Sequence, residues 1–311
     1  MNYNEPVIHS MRILCVTPFI NIGPCMEISD LKIFDAVAEC GSITLAAKKL
    51  HRVPSNISTR IQKLEQSIGQ SLFTRDSNRL KISQAGESLH SYAKQILALA
   101  DQAIMQFEDP SPRGTLRIGS MEAVAATYLS QYLSAYHHDF PDVTLNVKTQ
   151  HTDGLIKEVL NSEVDLALVA NPKEHPALNR LLIINEPMVL VSSQNIRQLD
   201  SFENTVTLLG FAQGCYYRKC LMQWAESKDL NFELHEIQSY HSMLNCASAG
   251  MGIGITPLSL LKQFHDKDNI KTHALPTSLK HTKTYLIWRK DNLMPSMEKF
   301  IDLFKQKKPS I

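Results

Sequence analysis

The sequence predicts a multidomain α+β protein with a small helical unit, one long helix and a larger unit in which strands alternate with helices. Between about residues 29 and 107, apolar residues recur at helical spacing. Beyond Gly114, short β-rich runs alternate with helical stretches, a pattern typical of an α/β sheet. The chain has 311 residues, enough for two or three domains that each bury a core.

The first two helices are bounded by capping residues. An apolar stripe at Leu31, Phe34 and Val37 follows Ser29, which we expect to cap the first helix. Gly41 then permits a sharp turn, and a serine at position 42 is suited to cap the second helix. These signals predict two short helices joined by a tight turn.

The third helix completes a helix-turn-helix. Pro54 stands in its first turn, where a missing N–H costs nothing, and Gly69 terminates it. Its apolar positions, three or four residues apart, are Val53, Ile57, Ile61, Leu64 and Ile68. Residues 72–82 read as a small hairpin with a polar, basic tip, so we predict a winged helix-turn-helix.

Charge is concentrated in this region. Residues 44–81 contain eight basic and two acidic residues, within a chain whose formal net charge is +1. Such a concentration is typical of a surface that contacts phosphates, although a solvated basic face would have the same composition.

A long helix is predicted over residues 83–107. Its apolar residues approach a heptad seam: Ala85, Leu89, Tyr92, Ile96, Leu99, Ala103 and Phe107. Since such a seam is unstable in water, we expect it to pair with a second copy of itself or to lie on the neighbouring domain. A linker follows at residues 109–114.

The remainder reads as two α/β units with a mostly parallel sheet. We predict strands at residues 115–119, 143–148, 164–169, 188–192, 232–237, 249–255 and 284–289. We predict helices at residues 121–140, 154–161, 218–228, from about 239, and at 296–305.

Other classes of protein find little support in the sequence. The six cysteines lack paired spacing, which indicates reduced thiols in a cytoplasmic protein. No apolar run reaches the length of about 20 residues that spans a membrane, and residues 1–25 make a poor signal peptide, so we expect a disordered extension there. No nucleophile–base pair, phosphate loop or metal-spaced cluster appears, so we predict no enzymatic activity, no metal and no cofactor.

Residues 34–47, 50–51 and 57–65, continued by Gly69 and by residues 72–75 and 80–86, resemble the N-terminal signature of LysR-type transcriptional regulators. Residues 117–120, 214–218 and 249–253 resemble the effector domain of that family. One departure stands at the start of the third helix: where the family usually has Ser-Gln-Pro, this chain has Val53, Pro54 and Ser55, followed by Asn56.

The resemblance implies a regulator in three parts: a winged helix-turn-helix at residues 26–83, a linker helix and hinge at 84–114, and a two-lobed, periplasmic-binding-protein-like effector domain at 115–311. The lobes would comprise residues 115–187 with 290–311, and residues 192–283, joined by crossing strands at 188–192 and 284–289. The implied partners are partly palindromic double-stranded DNA, a small-molecule effector bound between the lobes, further copies of the chain in a dimer doubled to a tetramer, and RNA polymerase.

Candidate DNA contacts follow from the helix-turn-helix. Residues expected to face base edges are Pro54, Ser55, Asn56, Ser58 and Thr59. Residues expected to hold phosphates are Lys49, Arg52, Arg60 and Lys63. On the wing, Arg75, Asn78 and Arg79 are expected to meet the DNA backbone or the minor groove, although each could equally be solvated. The amide of Asn56 suits adenine, although a phosphate contact or a solvated side chain would fit this position equally well. Candidate dimer contacts are Leu89, Tyr92, Ile96, Leu99 and Ala103.

Candidate effector contacts lie on turns that follow strands. They are Ser120, Met121, Glu122 and Ala170 in the first lobe, and Gln213, Gly214, Cys215 and Ser242 in the second. Glu122 could complement a helix dipole, or it could bias the cleft towards cationic or zwitterionic ligands. The basic helix start after Cys215 could favour a thiolate and a redox switch, or the thiol could be a bystander.

Two rival functions remain open from sequence. A solute-binding protein would need an export signal and would leave the basic helix-turn-helix unexplained. A nucleoid-type DNA binder without an effector would leave the two-lobed domain without a use.

Overall fold

The computed structural model describes residues 26–76, 79–105, 111–196 and 205–306. The expected extension at residues 1–25, the wing residue Asn78 and the seam residue Phe107 lie outside this range. The chain divides between His90 and Ser91 into two compact units.

The first unit is the predicted winged helix-turn-helix. Its elements are α1 (Ile28–Cys40), α2 (Ile43–Lys49), α3 (Pro54–Ile68), β1 (Phe73–Asp76), β2 (Arg79–Ile82) and the beginning of α4 (Gln84–Met105). The two strands pair antiparallel, from Phe73 opposite Ile82 to Asp76 opposite Arg79.

The helix ends of this unit follow local capping rules, with one exception. Gly41 adopts the left-handed conformation with φ 58°, and the Ser42 hydroxyl accepts a hydrogen bond from Leu45 N at 3.4 Å, as predicted. The prediction that Ser29 caps α1 was wrong. Glu27 caps the helix in a reciprocal capping box with Asp30, because a carboxylate can accept the N–H three residues on.

The core of the first unit forms around fully buried Phe34, whose ring lies 5.4 Å from that of Phe73. The predicted stripe on α3 is buried at Ile57, Ile61 and Leu64. The prediction of burial was wrong at both ends of the stripe: Val53 is the N-cap and is 63% exposed, and Ile68 is the last helical residue and is 37% exposed.

Within the described residues, the second unit is built on a nine-stranded sheet. Its strands are β3 (Gly114–Ser120), β4 (Val143–Thr149), β5 (Leu166–Ala170), β6 (Leu178–Ser193), β7 (Val206–Gly210), β8 (Phe232–Glu236), β9 (Ile253–Pro257), β10 (Ile270–His273) and β11 (His281–Arg289). Its helices after α4 are α5 (Glu122–Val124), α6 (Ser130–Asp139), α7 (Thr152–Leu160), α8 (Tyr216–Ser227), α9 (Tyr240–Ser248), α10 (Leu258–Gln263) and α11 (Pro295–Gln306), with a π-helical turn at Ala125–Leu129 and a 3₁₀ turn at Lys267–Asn269.

The sheet has the order β4-β3-β5-β11-β6-β9-β7-β8, with β10 also paired to β6. Strands β4, β3 and β5 at one end of the sheet are parallel to one another, as are β9, β7 and β8 at the other end. The pairs β5-β11, β11-β6, β6-β9 and β10-β6 are antiparallel. Strand β6 pairs with β11 up to Pro187 and with β9 from Met188 onwards, so it belongs to both halves. Each half buries its own hydrophobic core, which makes the unit two-lobed.

Several elements differ from the sequence prediction. The strand predicted at residues 188–192 begins ten residues earlier, at Leu178, and β7, α10 and β10 were not predicted. The strand predicted at 249–255 begins only at Ile253, because Gly250 has φ 83° and forms a turn. The second predicted crossing strand, β11, lies within the first lobe's sheet between β5 and β6.

Among the residues the structure describes, no helix combines the length and apolarity needed to cross a bilayer.

Candidate nucleic-acid interface and candidate ligand cleft

Helix α3 presents a polar face to solvent. Pro54, Ser55 and Asn56 are exposed in its first turn, Thr59 is exposed one turn later, and Ser58 is half-buried. The opposite face is held in the core of the first unit. The structure therefore brings the candidate base-contacting residues together on one helix.

The candidate phosphate-binding side chains around α3 differ in whether they already pair with another side chain of the protein. Lys63 is exposed and forms no ion pair with any described residue. Arg52 is exposed and donates to the Asn56 side-chain oxygen at 3.4 Å. Lys49 pairs with Glu39 of α1, and both side chains remain about half exposed.

Arg60 is turned towards α1. Its Nη2 lies 2.9 Å from a Glu27 carboxylate oxygen, and its Nε lies 2.8 Å from an Asp30 carboxylate oxygen, an ion pair without the alignment of a hydrogen bond. The hydrogen bond from Arg60 lowers the pKa of Glu27. The guanidinium is thus occupied by α1, and the expectation that it holds a phosphate lacks support from this geometry.

The wing is fastened to the end of α3 by Glu65. One oxygen of this carboxylate accepts hydrogen bonds from Leu72 N at 2.7 Å and Phe73 N at 3.3 Å. The backbone of Arg75 lies opposite Leu80, and that of Arg79 opposite Asp76, next to the hairpin tip. Both arginines therefore occupy the wing position predicted for them.

Helix α4 carries an apolar stripe that the described residues leave open. Tyr92 is 63% exposed and Leu99 61% exposed, while Ile96 and Ala103 are also exposed and Leu89 is half-buried. An exposed apolar line of this length is typical of a helix that pairs with another surface.

A cavity of about 290 Å³ lies between the two lobes of the second unit. First-lobe residues that line it are Met121, Glu122, Thr149, Gln150, His151 and Thr152. Second-lobe residues that line it are Phe211, Ala212, Cys215, Tyr217, Glu236, Ile237, Gln238 and Tyr240. They follow the carboxyl ends of the parallel strands β3, β4, β7 and β8, where ligands bind in open α/β sheets.

The turn before α8 packs closely against the first lobe. His151 caps α7, since its Nδ1 accepts a hydrogen bond from Gly154 N at 3.0 Å, which leaves the proton of a neutral ring on Nε2. Gly214 has φ 92°, and a Cβ at this position would lie 2.8 Å from that Nδ1. Only glycine fits such a turn without displacing the histidine.

The second-lobe wall is aromatic and contains an unsatisfied hydroxyl. The rings of Phe211 and Tyr240 lie 4.3 Å apart, and Tyr217 is edge-on to Tyr240 at 6.1 Å. Tyr217 is 1% exposed, and its hydroxyl has no hydrogen-bond partner among the described residues. Since buried hydroxyls are normally hydrogen-bonded, this unsatisfied group on a residue that lines the cavity is a candidate partner for a bound ligand.

Three of the candidate effector residues line the cavity: Met121, Glu122 and Cys215. Gln213 and Gly214 stand beside it in the turn before α8, and Ser242 is exposed in the first turn of α9. Ser120 and Ala170 are fully buried behind the wall, and the Ser120 hydroxyl donates to Met121 O. Sequence reasoning missed Thr149, Gln150, His151 and Thr152 in the first lobe, and Phe211, Ala212, Tyr217 and residues 236–238 in the second; their only signal is a place at or after the end of a strand in one mixed sheet.

The redox hypothesis for Cys215 loses its physical basis. Burial raises the pKa of the Cys215 thiol, although the N–H groups of Arg218 and Tyr217 act in the opposite direction. A thiol with a raised pKa is a poor nucleophile at neutral pH.

Comparisons with known proteins give one consistent family. The domain described as bacterial regulatory helix-turn-helix protein, lysR family, matches residues 28–87, and the LysR substrate binding domain matches residues 110–309. The HTH-type transcriptional regulator YofA of Bacillus subtilis (strain 168) is 36% identical over 286 residues, 91% of this chain and 100% of the relative. GltR, an HTH-type transcriptional regulator of the same organism, is 34% identical over 293 residues, 91% of this chain and 99% of the relative.

Solved structures share the fold. Full-length OxyR from Pseudomonas aeruginosa, solved as a single-residue variant, matches with a TM-score of 0.70 and 16% identity over 91% of this chain and 94% of that one. Full-length CbnR complexed with its target DNA matches with a TM-score of 0.61 and 21% identity, over 90% and 99% of the two chains. Because the two matching domains cover most of the sequence and the relatives are named transcriptional regulators, this chain belongs to the LysR family of DNA-binding transcriptional regulators, a family of non-enzymatic proteins.

Proposed function

We propose that this chain binds a partly palindromic promoter site as a dimer or tetramer, and that a small molecule held between its lobes switches its effect on transcription. The observation that carries the proposal is the cavity of the second unit with the unpartnered Tyr217 hydroxyl, in the same chain as the exposed polar face of α3. A solute-binding protein would use the cavity but would have no use for that helix.

The DNA part of the proposal rests on helix geometry. In helix-turn-helix dimers, two recognition helices enter successive major grooves about 34 Å apart, so the site repeats with that spacing. Pro54, Ser55 and Asn56 would reach base edges first, because they stand in the first turn of α3. Since this turn departs from the family's usual residues, we expect a base preference of its own.

Binding to DNA that flanks the chain's own gene tests this part of the proposal, by fluorescence anisotropy over a range of salt concentrations. Lys63→Ala should reduce the slope of log affinity against log salt by about 0.9, the value for one phosphate that is no longer neutralised. Arg60→Ala should leave that slope unchanged but lower the stability of the first unit, since it removes a charged hydrogen bond to Glu27 and an ion pair with the largely buried Asp30. The absence of any salt-dependent sequence preference would contradict the proposal.

The oligomer part rests on the exposed stripe of α4. Leu99→Asp places a charge in the middle of that stripe, so we expect sedimentation to show dissociation towards monomer and DNA affinity to fall more than about ten-fold. Asp101→Ala, an exposed position facing away from the stripe on the same helix, is the matched control and should sediment as the unmodified protein does. A Leu99→Asp variant that keeps its oligomeric mass would refute the assignment of this face.

A further inference from the structure

The described residues that line the cavity include two carboxylates and no lysine or arginine. The two carboxylates are not equivalent. Glu236 is paired with Arg218, whose Nη1 lies 3.2 Å from its Oε2, and its side chain is about half exposed. Glu122 forms no ion pair with any described residue, so it supplies the uncompensated charge of the cleft.

Glu122 is partly withdrawn from water. It is the first residue of α5, and its Oε1 accepts a hydrogen bond from Tyr240 N at 3.3 Å, across the cleft. Burial raises the pKa of Glu122, while the hydrogen bond from Tyr240 N and the neighbouring His241 act in the opposite direction. A desolvated carboxylate without a counter-ion is stabilised strongly by any cation that enters beside it.

A second acid extends the negative field behind the aromatic wall. Glu186, on β6, is buried and accepts hydrogen bonds from Ser259 at 2.5 Å and Tyr128 at 3.4 Å. Burial raises the pKa of both Tyr217 and Tyr240, which line the cleft, and the charge of Glu186 acts in the same direction. The acidic groups at the cavity and behind its wall therefore favour a positively charged ligand over an anion.

Several groups that would attract an anion are already in use. Helices α7 and α9 begin at the cleft, and two N–H groups in the first turn of each are engaged within the protein. In α7, Gly154 N donates to His151 and Asp153 N donates to Gly214 O. In α9, Ser242 N donates to Ser239, and Tyr240 N donates to Glu122 itself. These four N–H groups are therefore not available to an anion.

We propose that the ligand of the cleft carries a protonated amine, which pairs with the carboxylate of Glu122 against the rings of Phe211 and Tyr240. Ammonium groups are attracted by carboxylates and by aromatic faces alike. The unpartnered Tyr217 hydroxyl, on the same wall, is available to hydrogen-bond a polar group on the rest of the ligand. This inference rests on the proposed function, because it describes the ligand of the same cavity.

Matched probes test the charge preference with the full-length protein. Two sets share a skeleton: phenethylamine, L-phenylalanine and 3-phenylpropionate; isoamylamine, L-leucine and 4-methylpentanoate. Titration calorimetry and melting temperature report binding, since a ligand of the native state raises its stability. In at least one set, we expect an amine-bearing member to bind about ten-fold or more tightly than the carboxylate that lacks the amine.

Glu122→Gln keeps an acceptor for Tyr240 N while removing the charge, so it should abolish the amine preference without a loss of fold. Glu226→Gln removes an exposed carboxylate of α8 outside the cavity and should leave the preference intact. Preferential binding of the carboxylates, no response to any amine-bearing probe, or an amine preference that survives Glu122→Gln would each overturn the inference. If the carboxylates bound preferentially, the inference of an amine ligand would fail, but the proposal that a small molecule binds the cavity would stand. The DNA-binding experiment above tests the regulatory function separately.

Discussion

Phe34→Ala is expected to abolish DNA binding by unfolding the first unit, while the second unit keeps its structure. Phe34 is fully buried, its ring lies 5.4 Å from that of Phe73, and the ring of His90 meets it edge-on at 5.8 Å. Truncation of a buried phenylalanine costs about 3–5 kcal/mol, because it removes apolar contacts and leaves a cavity. A domain as small as this one has a total stability of similar size.

Two measurements separate local from global unfolding. Both tryptophans, Trp224 and Trp288, lie in the second unit, so their fluorescence should be unchanged in Phe34→Ala. Far-UV circular dichroism should show the loss of helix from the first unit. Leu45→Ala changes a leucine of α2 that is 53% exposed and should alter the unfolding free energy by no more than about 0.5 kcal/mol. Retention of full helicity and DNA affinity by Phe34→Ala would contradict this account of the core.

The first unit could be predicted closely because its signals are local. Gly41, Ser42, Pro54 and Gly69 each fix a helix end by the conformation or capping ability of a single residue. Errors occurred where two candidates compete for one end: Glu27, with a longer side chain, caps α1 in place of Ser29. Periodicity gave the face of α3 but could not show that its end positions leave the core.

The second unit was less predictable because its strands depend on distant pairing. The first ten residues of β6 include polar residues and end at Pro187. Both features argue against a strand when the sequence is read alone. In the structure Pro187 stands where β6 passes from β11 to β9, so a proline is tolerated there. The six residues of α10 are too few to show a helical period.

The site residues divide in the same way: local features could be predicted, whereas contacts between distant elements could not. Counting charges identified the basic surface around α3 but not the turn of Arg60 towards Glu27 and Asp30, because ion pairing depends on which helices come together. The cleft residues His151 and Gln238 belong to no motif; only the sheet topology brings the ends of β4 and β8 to one cavity.

Arg117→Met is expected to destabilise the first lobe by about 3–5 kcal/mol, because it leaves a buried carboxylate without its counter-charge. The side chain of Asp165 is inaccessible to solvent, and its two oxygens lie 2.6 Å from Arg117 Nη2 and 3.2 Å from Nε. Asp165 also accepts the backbone N–H of Arg117 at 2.7 Å. This bidentate pair joins the start of β5 to the middle of β3 beneath the cleft.

Urea unfolding followed by the tryptophan fluorescence of the second unit measures the cost, with Arg180→Met as the matched control. Arg180 also pairs with a carboxylate in the first lobe, that of Glu174, but that carboxylate is largely exposed, so its loss should cost less than about 1 kcal/mol. Adding Asp165→Asn to Arg117→Met removes the uncompensated charge and should recover part of the lost stability. If the two single arginine variants unfold at the same urea concentration, or the double variant recovers nothing, then an uncompensated charge at Asp165 is not the cause. Recovery would show that Arg117 stabilises the lobe chiefly by compensating the charge of the buried Asp165 carboxylate.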